Sequence, residues 1–315
     1  MVKPLIVVGS INLDLVVQAD RLPLPGETIT GIDFTEFEGG KGANQAFGIA
    51  RLGFPVILLG HVGTDLHGQH LRSALQSGGV QTEWIEAVPG RSGIALITHG
   101  SKGENSIVVV PGANGQVSID YLGRHRDQLA NAVMILTQLE IPIETVEALA
   151  EFAALANVPL MLDPAPARPL SKQLLARVTW LTPNETEAAT LIGQIASESS
   201  TEEIAERLLA MGPRNVAIKL GQRGVFLAGH DTPSVLVPTL KVNVVDTTAA
   251  GDTFNAAFAV RLARGDSPHA AAKYANAAAA LSVTHMGAQP SMPSADHVEE
   301  ILVKFGQSVD ATSVS

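Results

Sequence analysis

The sequence predicts a three-layer α/β/α sandwich with a mostly parallel central sheet and a small β-sheet lid. Short apolar runs alternate with helical periodicities along most of the chain, as in sheets buried on both faces and joined by helices. Two stretches, about 13–38 and 91–111, mix polar and apolar residues instead. No linker or repeat divides the 315 residues. We therefore expect one α/β domain over 1–308 with both lid stretches inserted, and a disordered tail at 309–315.

The elements follow from local patterns taken in order. Short aliphatic runs predict buried strands at 5–9, 55–62, 133–139, 159–163, 179–182 and 216–220. Helical spacing and caps predict helices that end at Leu52 and Ala156 and further helices at 66–77, 171–176, 184–192, 201–210 and 268–284. A glycine-containing turn at 100–103 separates extended runs at 92–98 and 106–110, which indicates a hairpin.

Composition excludes several classes of protein. The formal net charge of −10 argues against nucleic acid or an anionic membrane as a partner. No apolar run approaches the ~20 residues of a membrane span. The chain has no cysteine, which excludes disulfides, thiolate nucleophiles and cysteine-ligated zinc. The apolar N-terminal run is interrupted by Asn12 and Asp14 and lacks a signal-peptide cleavage pattern, so we expect a cytoplasmic protein.

The stretch at 243–264 predicts an anion site. β-Branched residues at 242–246 indicate the end of a strand, small residues follow at 247–251, and Phe254, Phe258 and Leu262 then recur at every fourth position. A loop of small residues therefore leads into a helix N-terminus, where the N–H groups of Ala249, Ala250, Gly251 and Asp252 have no intrahelical partner and the helix dipole is positive. A phosphate can approach such a backbone closely.

Asp252 lies beside this predicted anion site. A carboxylate there could accept the proton of an attacking hydroxyl. The alternative is that Asp252 only caps the helix and that Asp246 is a turn residue. This stretch by itself does not decide between the two.

Two further groups of residues suggest a polar ligand. Three glycines surround Lys41 at 39–42 and precede Asn44, which would form a cradle at a helix start. Asn12 and Asp14 interrupt an apolar strand end, where burial without hydrogen-bond partners is costly; a polyhydroxyl ligand or a network within the protein could supply those partners. The chain contains neither a P-loop nor a dinucleotide-binding glycine motif, and the glycines at 221–224 alone indicate only a turn.

The segments at 39–46 and 246–255, Gly-Gly-Lys-Gly-Ala-Asn-Gln-Ala and Asp-Thr-Thr-Ala-Ala-Gly-Asp-Thr-Phe-Asn, resemble the two signatures of the ribokinase (PfkB-type) family of sugar kinases. Segments at 8–14, 164–167, 182–187 and 287–291 resemble further family segments in the same order. The resemblance covers residues from about 5 to 304. It implies ATP-dependent phosphorylation of the 5-hydroxyl of D-ribose with Mg²⁺, activation by K⁺, and a lid that forms a homodimer interface.

The resemblance also implies roles for individual residues. Asp252 would be the general base and would contact the sugar, with Ala249, Ala250 and Gly251 completing the anion hole. The remaining sugar-binding residues would be Asn12, Asp14, Gly40, Lys41, Asn44 and Glu140. The nucleotide-binding residues would be Asn184, Glu187, Lys219, Leu220, Gly221, Gln222, Arg223, Gly224, Gly251 and Asn276. The K⁺ loop would comprise Asp246, Thr248, Ser282, His285, Gly287 and Ser291.

The chain departs from the family pattern at two positions. Ala249 stands where the family motif often has Gly, and Asn276 stands where some ribokinases carry His, which leaves contacts to the base there open. Two alternatives to a ribose kinase remain. One is a kinase for deoxyribose, fructose or adenosine, and the other is a non-catalytic sugar-binding protein on the same scaffold. An intact anion loop disfavours the second, because a binding protein has no use for it.

Overall fold

The structure, a computed structural model, describes residues 2–101, 104–193, 199–230 and 232–312, with side chains up to residue 304. The strands are β1 (Leu5–Val8), β2 (Asn12–Ala19), β3 (Asp33–Gly39), β4 (Val56–Gly63), β5 (Ile85–Val88), β6 (Gly93–Gly100), β7 (Asn105–Val110), β8 (Met134–Thr137), β9 (Leu160–Leu162), β10 (Trp180–Leu181), β11 (Asn215–Lys219), β12 (Val225–Gly229) and β13 (Val235–Val237). The helices are α1 (Lys41–Arg51), α2 (Leu66–Ser77), α3 (Ile119–Arg124), α4 (Arg126–Ala130), α5 (Ile143–Leu155), α6 (Lys172–Leu175), α7 (Glu185–Ile192), α8 (Thr201–Ala210), α9 (Ala250–Ala263), α10 (Pro268–Ser282) and α11 (Ala295–Thr312).

The large sheet confirms the predicted fold class. Its nine strands run in the order β13-β12-β11-β10-β9-β8-β1-β4-β5. β12 and β13 are antiparallel to their neighbours, and the strands from β11 to β5 pair in parallel. Leu5 of β1 lies between Val56 and Met134 in register. Because β1 is central, all four of its residues are buried, which explains why it reads as a continuous apolar run.

Alternation along β1 separates two cores. Leu5 and Val7 belong to the core that includes Phe258 of α9, whereas Ile6 and Val8 belong to the core that includes residues of α3, α5 and α8. Successive strand residues face opposite sides of a sheet, so each core is one interface between the sheet and a helical layer. The three layers of the sandwich follow from this division.

A second sheet is built from the two segments predicted to form the lid. Its order is β3-β2-β6-β7, with a parallel pair at its centre and antiparallel edges. Asn12 of β2 lies opposite Gly39 on one side and Gly93 on the other. β2 begins only four residues after β1 ends, so the base of this sheet lies next to the carboxyl end of β1.

Three local predictions differ from the structure. Residues 242–246 form no strand: the N–H groups of Val245 and Asp246 donate to the carbonyl of Val283 at 2.8 and 3.2 Å, at the end of α10. Helices α3 and α4 lie in a segment for which no helix was predicted. The last helix continues through 309–312, into the segment predicted to be a disordered tail, because each added residue extends an existing hydrogen-bond ladder; 313–315 lie outside the described residues. Within the described chain no helix is long and apolar enough to cross a membrane.

Candidate active site

The N-terminus of α9 presents free backbone donors. Ala249 is the N-cap residue and has a left-handed conformation with φ of 56°, which is uncommon for a residue with a side chain. The N–H of Ala250 donates to the carbonyl of Thr247 at 3.2 Å. The N–H groups of Ala249, Gly251 and Asp252 have no acceptor among the described residues. The predicted anion hole therefore has three free donors rather than four.

Asp252 lies in the first turn of α9 and not at the N-cap, so the capping alternative is wrong. Its buried carboxylate accepts hydrogen bonds on both oxygens: Oδ2 from Asn44 Nδ2 and Oδ1 from Gln45 Nε2, each at 3.1 Å. Burial raises the pKa of Asp252 above its usual range, and the charge of Asp163 raises it further, whereas Lys41 and the two amides oppose the rise. A raised pKa is typical of a group that must accept a proton near neutral pH.

Lys41, the first residue of α1, lies among four carboxylates. Burial alone would lower its pKa, but the charges of Asp252, Asp163, Glu140 and Glu187 outweigh burial and raise it. Lys41 therefore stays positively charged at physiological pH. It provides the local positive charge that an acidic protein needs in order to hold a phosphate.

Asn12 and Asp14 lie at the base of the second sheet, with their side chains buried. Gly39 and Gly93 flank them, and a Cβ at either position would overlap with the side chain of Asp14 or Asn12. The pKa of Asp14 is raised to about 7, mainly by burial and next by the charges of Glu140 and Asp252. The amide of Asn12 is held by Asn114, whose Nδ2 donates to Asn12 Oδ1 at 2.7 Å.

Glu140 joins the glycine cradle to this polar pocket. Its Oε2 accepts from Ser10 Oγ at 2.5 Å and from the Lys41 N–H at 3.2 Å. Gly40, the N-cap of α1, has φ of 88° and a backbone contact with 10–12 that leaves no room for a side chain. The structure therefore places the predicted sugar-binding residues around one polar pocket, bounded by Lys41 and Asp252.

A cavity of about 690 Å³ opens on the other side of Lys41 and Asp252. The predicted site residues that line it are Asn184, Glu187, Lys219, Gly221, Gln222, Gly224, Ala249, Ala250, Gly251 and Asn276. Two predicted nucleotide residues do not line it: Leu220 is buried, and the guanidinium of Arg223 pairs with Glu185. Asn276 Nδ2 donates to the carbonyl of Val237 at 2.8 Å, so this amide tethers the cavity wall.

Asn184 and Glu187 form a reciprocal capping box at the start of α7. Glu187 Oε2 accepts from the Asn184 N–H at 2.7 Å, and Asn184 Oδ1 accepts from the Glu187 N–H at 2.8 Å. The pair therefore has a structural role whatever else it does. Burial raises the pKa of Glu187, and its carboxylate also lines the cavity.

The segments predicted to hold K⁺ are linked by one carboxylate. Asp246 Oδ1 accepts from the N–H and hydroxyl of Thr248 at 2.9 and 2.6 Å, and Oδ2 accepts from the Gly287 N–H at 2.9 Å. The hydroxyls of Ser282 and Ser291 donate to nearby carbonyls, and His285 is exposed. Among the described residues no group of three acidic, histidine or cysteine side chains is placed to hold a metal.

Sequence reasoning missed several residues of the site. Asp163 is buried and pairs with Lys219 Nζ at 3.1 Å in the cavity wall. Gln45 donates both to it and to Asp252, and Gln138 donates to Gln45. Asp163 and Gln138 each directly follow a buried strand, which is the one signal that could have identified them. Asn114 lies in a 3-10 turn, Gly112–Gln116, and gave no such signal.

Comparisons with known proteins show what the chain and its fold are similar to. Residues 3–295 match the model of the "pfkB family carbohydrate kinase". The chain is similar to a ribokinase of Bacillus subtilis (44% identity, covering 94% of this chain and 98% of that protein) and to a deoxyribokinase of Salmonella typhi (35%, covering 94% and 97%). The structure is similar to that of Arabidopsis thaliana ribokinase complexed with ribose and ATP (TM-score 0.87, 36% identity, covering 96% and 99%).

Proposed function

The chain belongs to the pfkB family of carbohydrate kinases, and from this we propose that it transfers the γ-phosphoryl group of ATP to the 5-hydroxyl of D-ribose. The observation that carries the proposal is the position of Asp252. It borders the polar pocket through Asn44 and lines the neighbouring cavity beside three free N–H donors. A proton acceptor between a site for hydroxyls and a site for phosphates is what phosphoryl transfer to an alcohol requires.

Asn12, Asp14 and Asn44 would hold the sugar hydroxyls, and the cavity would hold the nucleotide. Asp252 accepts the proton of the attacking hydroxyl, while the free N–H groups of Ala249 and Gly251 and the charge of Lys41 stabilise the transferring phosphoryl group. Most of the catalysis comes from positioning and charge, because phosphoryl transfer leaves little covalent work to the protein. The second sheet, standing over the pocket, would exclude water as a competing acceptor.

Mg²⁺ is proposed to bind with ATP. Glu187 and Asp163 provide carboxylate oxygens in the cavity wall, and Mg²⁺ binds through one or two carboxylates together with substrate phosphates and water. When bound, the ion would neutralise part of the triphosphate charge. Lys219, paired with Asp163, places a second positive charge at the same wall.

The choice of sugar is tested by the rate of ADP release with a panel of acceptors. D-ribose is expected to give the highest kcat/KM among ribose, deoxyribose, fructose and adenosine. A clearly higher kcat/KM for another acceptor would assign the chain to that substrate. ADP release with none of them, together with tight binding of a sugar, would identify a binding protein.

We also propose that K⁺ binds between 246–248 and 282–291 and fixes the backbone of the anion loop without contacting substrate. K⁺ is expected to raise kcat at constant ionic strength, with Na⁺ less effective, because the larger ion suits a ring of carbonyls. Equal rates in K⁺ and in tetramethylammonium would contradict a K⁺ site between these segments. KM for ribose serves as the internal control, since Asn12 and Asp14 lie outside these segments.

A homodimer through the second sheet is the proposed assembly. β7 is exposed along its whole length, including Ile107, Val108, Val109 and Val110. An exposed edge strand with such an apolar surface is a site for pairing with another chain. The molar mass in solution tests this, and a monomer would contradict it. The cytoplasmic location stays a prediction.

A further inference from the structure

A chain of two buried amides ends on the carboxylate of Asp252. Gln138 Nε2 donates to Gln45 Oε1 at 2.8 Å, and Gln45 Nε2 donates to Asp252 Oδ1 and to Asp163 Oδ2, at 3.1 Å each. We infer that Gln45, held by Gln138, is the positioning residue that fixes the carboxylate of the base for proton transfer. This inference rests on the proposed function, in which Asp252 is the base.

The chemistry of the partners allows only one orientation of the Gln45 amide. In that orientation its two N–H groups each meet a carboxylate, and its oxygen meets the donor of Gln138. If the amide turned over, its oxygen would face two carboxylates, and its NH₂ group would face another NH₂ group. Both arrangements are repulsive, and Gln45 and Gln138 are buried from water that could compensate.

Asp163 gives the amide a fixed second anchor. Its other oxygen accepts from Lys219 Nζ at 3.1 Å, and its side chain is buried. Gln45 thus spans two carboxylates, one of which is held in place by an ion pair. Asp252 is therefore held on Oδ1 by Gln45 and on Oδ2 by Asn44, and each oxygen keeps a second lone pair for the substrate hydroxyl.

The backbone leaves space for this amide chain. A Cβ at Gly9 would overlap with Oε1 of Gln138, and the backbone of Gly42 also lies close to Gly9. Because Gly9 has no side chain, the amide of Gln138 has space next to it. Gln45 lies in the second turn of α1, and Gln138 directly follows β8. Gln45 is therefore carried by a regular element, and Gln138 is held next to the end of one.

Gln45→Met tests the inference, because methionine has a similar length and no N–H group. We expect kcat to fall about tenfold or more as the carboxylate loses its orientation. The acidic limb of the kcat pH profile is expected to move up by about one pH unit, because a lost hydrogen bond to the charged form raises the pKa of Asp252. KM for ribose and for ATP should stay within about twofold.

The matched control is Asn215→Leu. It removes a buried amide that donates to the carbonyl of Thr179 at 3.1 Å, at the start of β11. This variant should lower the melting temperature and leave the pH profile unmoved. If Gln45→Met also lowers the melting temperature and leaves the limb unmoved, Gln45 only fills space and the inference is overturned.

Gln138→Met is the second variant, and it tests the role of Gln45 if Gln45→Met does not fold. It removes the donor to Gln45 Oε1 and leaves the two carboxylates as the partners of that amide. Gln45 is then held less firmly, so the acidic limb should move in the same direction by a smaller amount. If the acidic limb of the kcat pH profile does not move, the inference is overturned. Failure of the proposed function has a separate signature, because Asp252→Asn would then keep normal turnover whatever the Gln45 variants do.

Discussion

Asp252→Asn is expected to lower kcat by at least a hundredfold while leaving the binding of ribose and ATP in place. The substitution removes the proton acceptor, and a positioned general base contributes about 10²–10⁴-fold to a rate. Apart from Asp252 itself, the contacts proposed for the ligands lie in the polar pocket around Asp14 and in the cavity wall around Lys219, and these are unchanged. Single-turnover rates and ribose binding by calorimetry measure the two effects separately.

The Asp252→Asn protein should remain folded. Asn44 and Gln45 both donate to the carboxylate, so one of them loses its acceptor when an NH₂ group replaces an oxygen. That loss costs about 1–3 kcal/mol, which is less than the roughly 5–15 kcal/mol of a typical protein. The control is Asp120→Asn, the same change in the first turn of α3 at an exposed position. Near-normal kcat in Asp252→Asn would end the assignment of Asp252 as the base.

Asp14→Asn should raise KM for ribose by about 10–100-fold and leave KM for ATP unchanged. A carboxylate can accept two hydroxyl hydrogen bonds, and a hydrogen bond to a charged group is worth about 1.5–3 kcal/mol. The amide keeps the shape that the space beside Gly39 requires but offers only one acceptor. Steady-state kinetics with each substrate varied in turn gives the two constants. Equal losses for both substrates would make Asp14 structural.

The pH dependence of ribose binding provides a check on Asp14. Burial and neighbouring carboxylates raise its pKa to about 7, so the carboxylate form dominates above pH 7 and is lost as pH falls. Between pH 8 and pH 6, KM for ribose in the unaltered protein should therefore rise about tenfold. Asp14→Asn should lose this dependence, whereas Asp33→Asn, on the exposed end of β3, should keep it.

The order of the elements and the anion loop could be predicted from the sequence because both depend on local chemistry. A strand buried on both faces is apolar throughout when no polar partner is available, as β1 and β9 are. A helix N-terminus that receives an anion needs small residues before it and a buried face after it, and 247–262 carries both signals within one short segment. The segments at 12–14 and 39–44 were also identified from short motifs with their residues adjacent in sequence, as candidates for a polar ligand. The family resemblance, and not local chemistry, assigns that ligand as a sugar.

The strand predicted at 242–246 shows where local chemistry is insufficient. β-Branched residues form a strand only when a neighbouring strand offers hydrogen bonds and a surface to pack on. Here the N–H groups of Val245 and Asp246 find the carbonyl of Val283 instead. The segment becomes one wall of the cavity and anchors the loop before α9.

What only the tertiary structure decided is the environment of Asp252. Gln45 and Asp163 lie 118 positions apart in the sequence, and Gln45 and Asp252 lie 207 positions apart. They meet because β8, β9 and β11 end at one edge of the sheet, where α1 and α9 begin. Lone Gln and Asp residues carry no spacing signal, so the sequence identified Asp252 as an acid beside an anion site. Its burial, its raised pKa and the two amides that orient it exist only once these elements pack together.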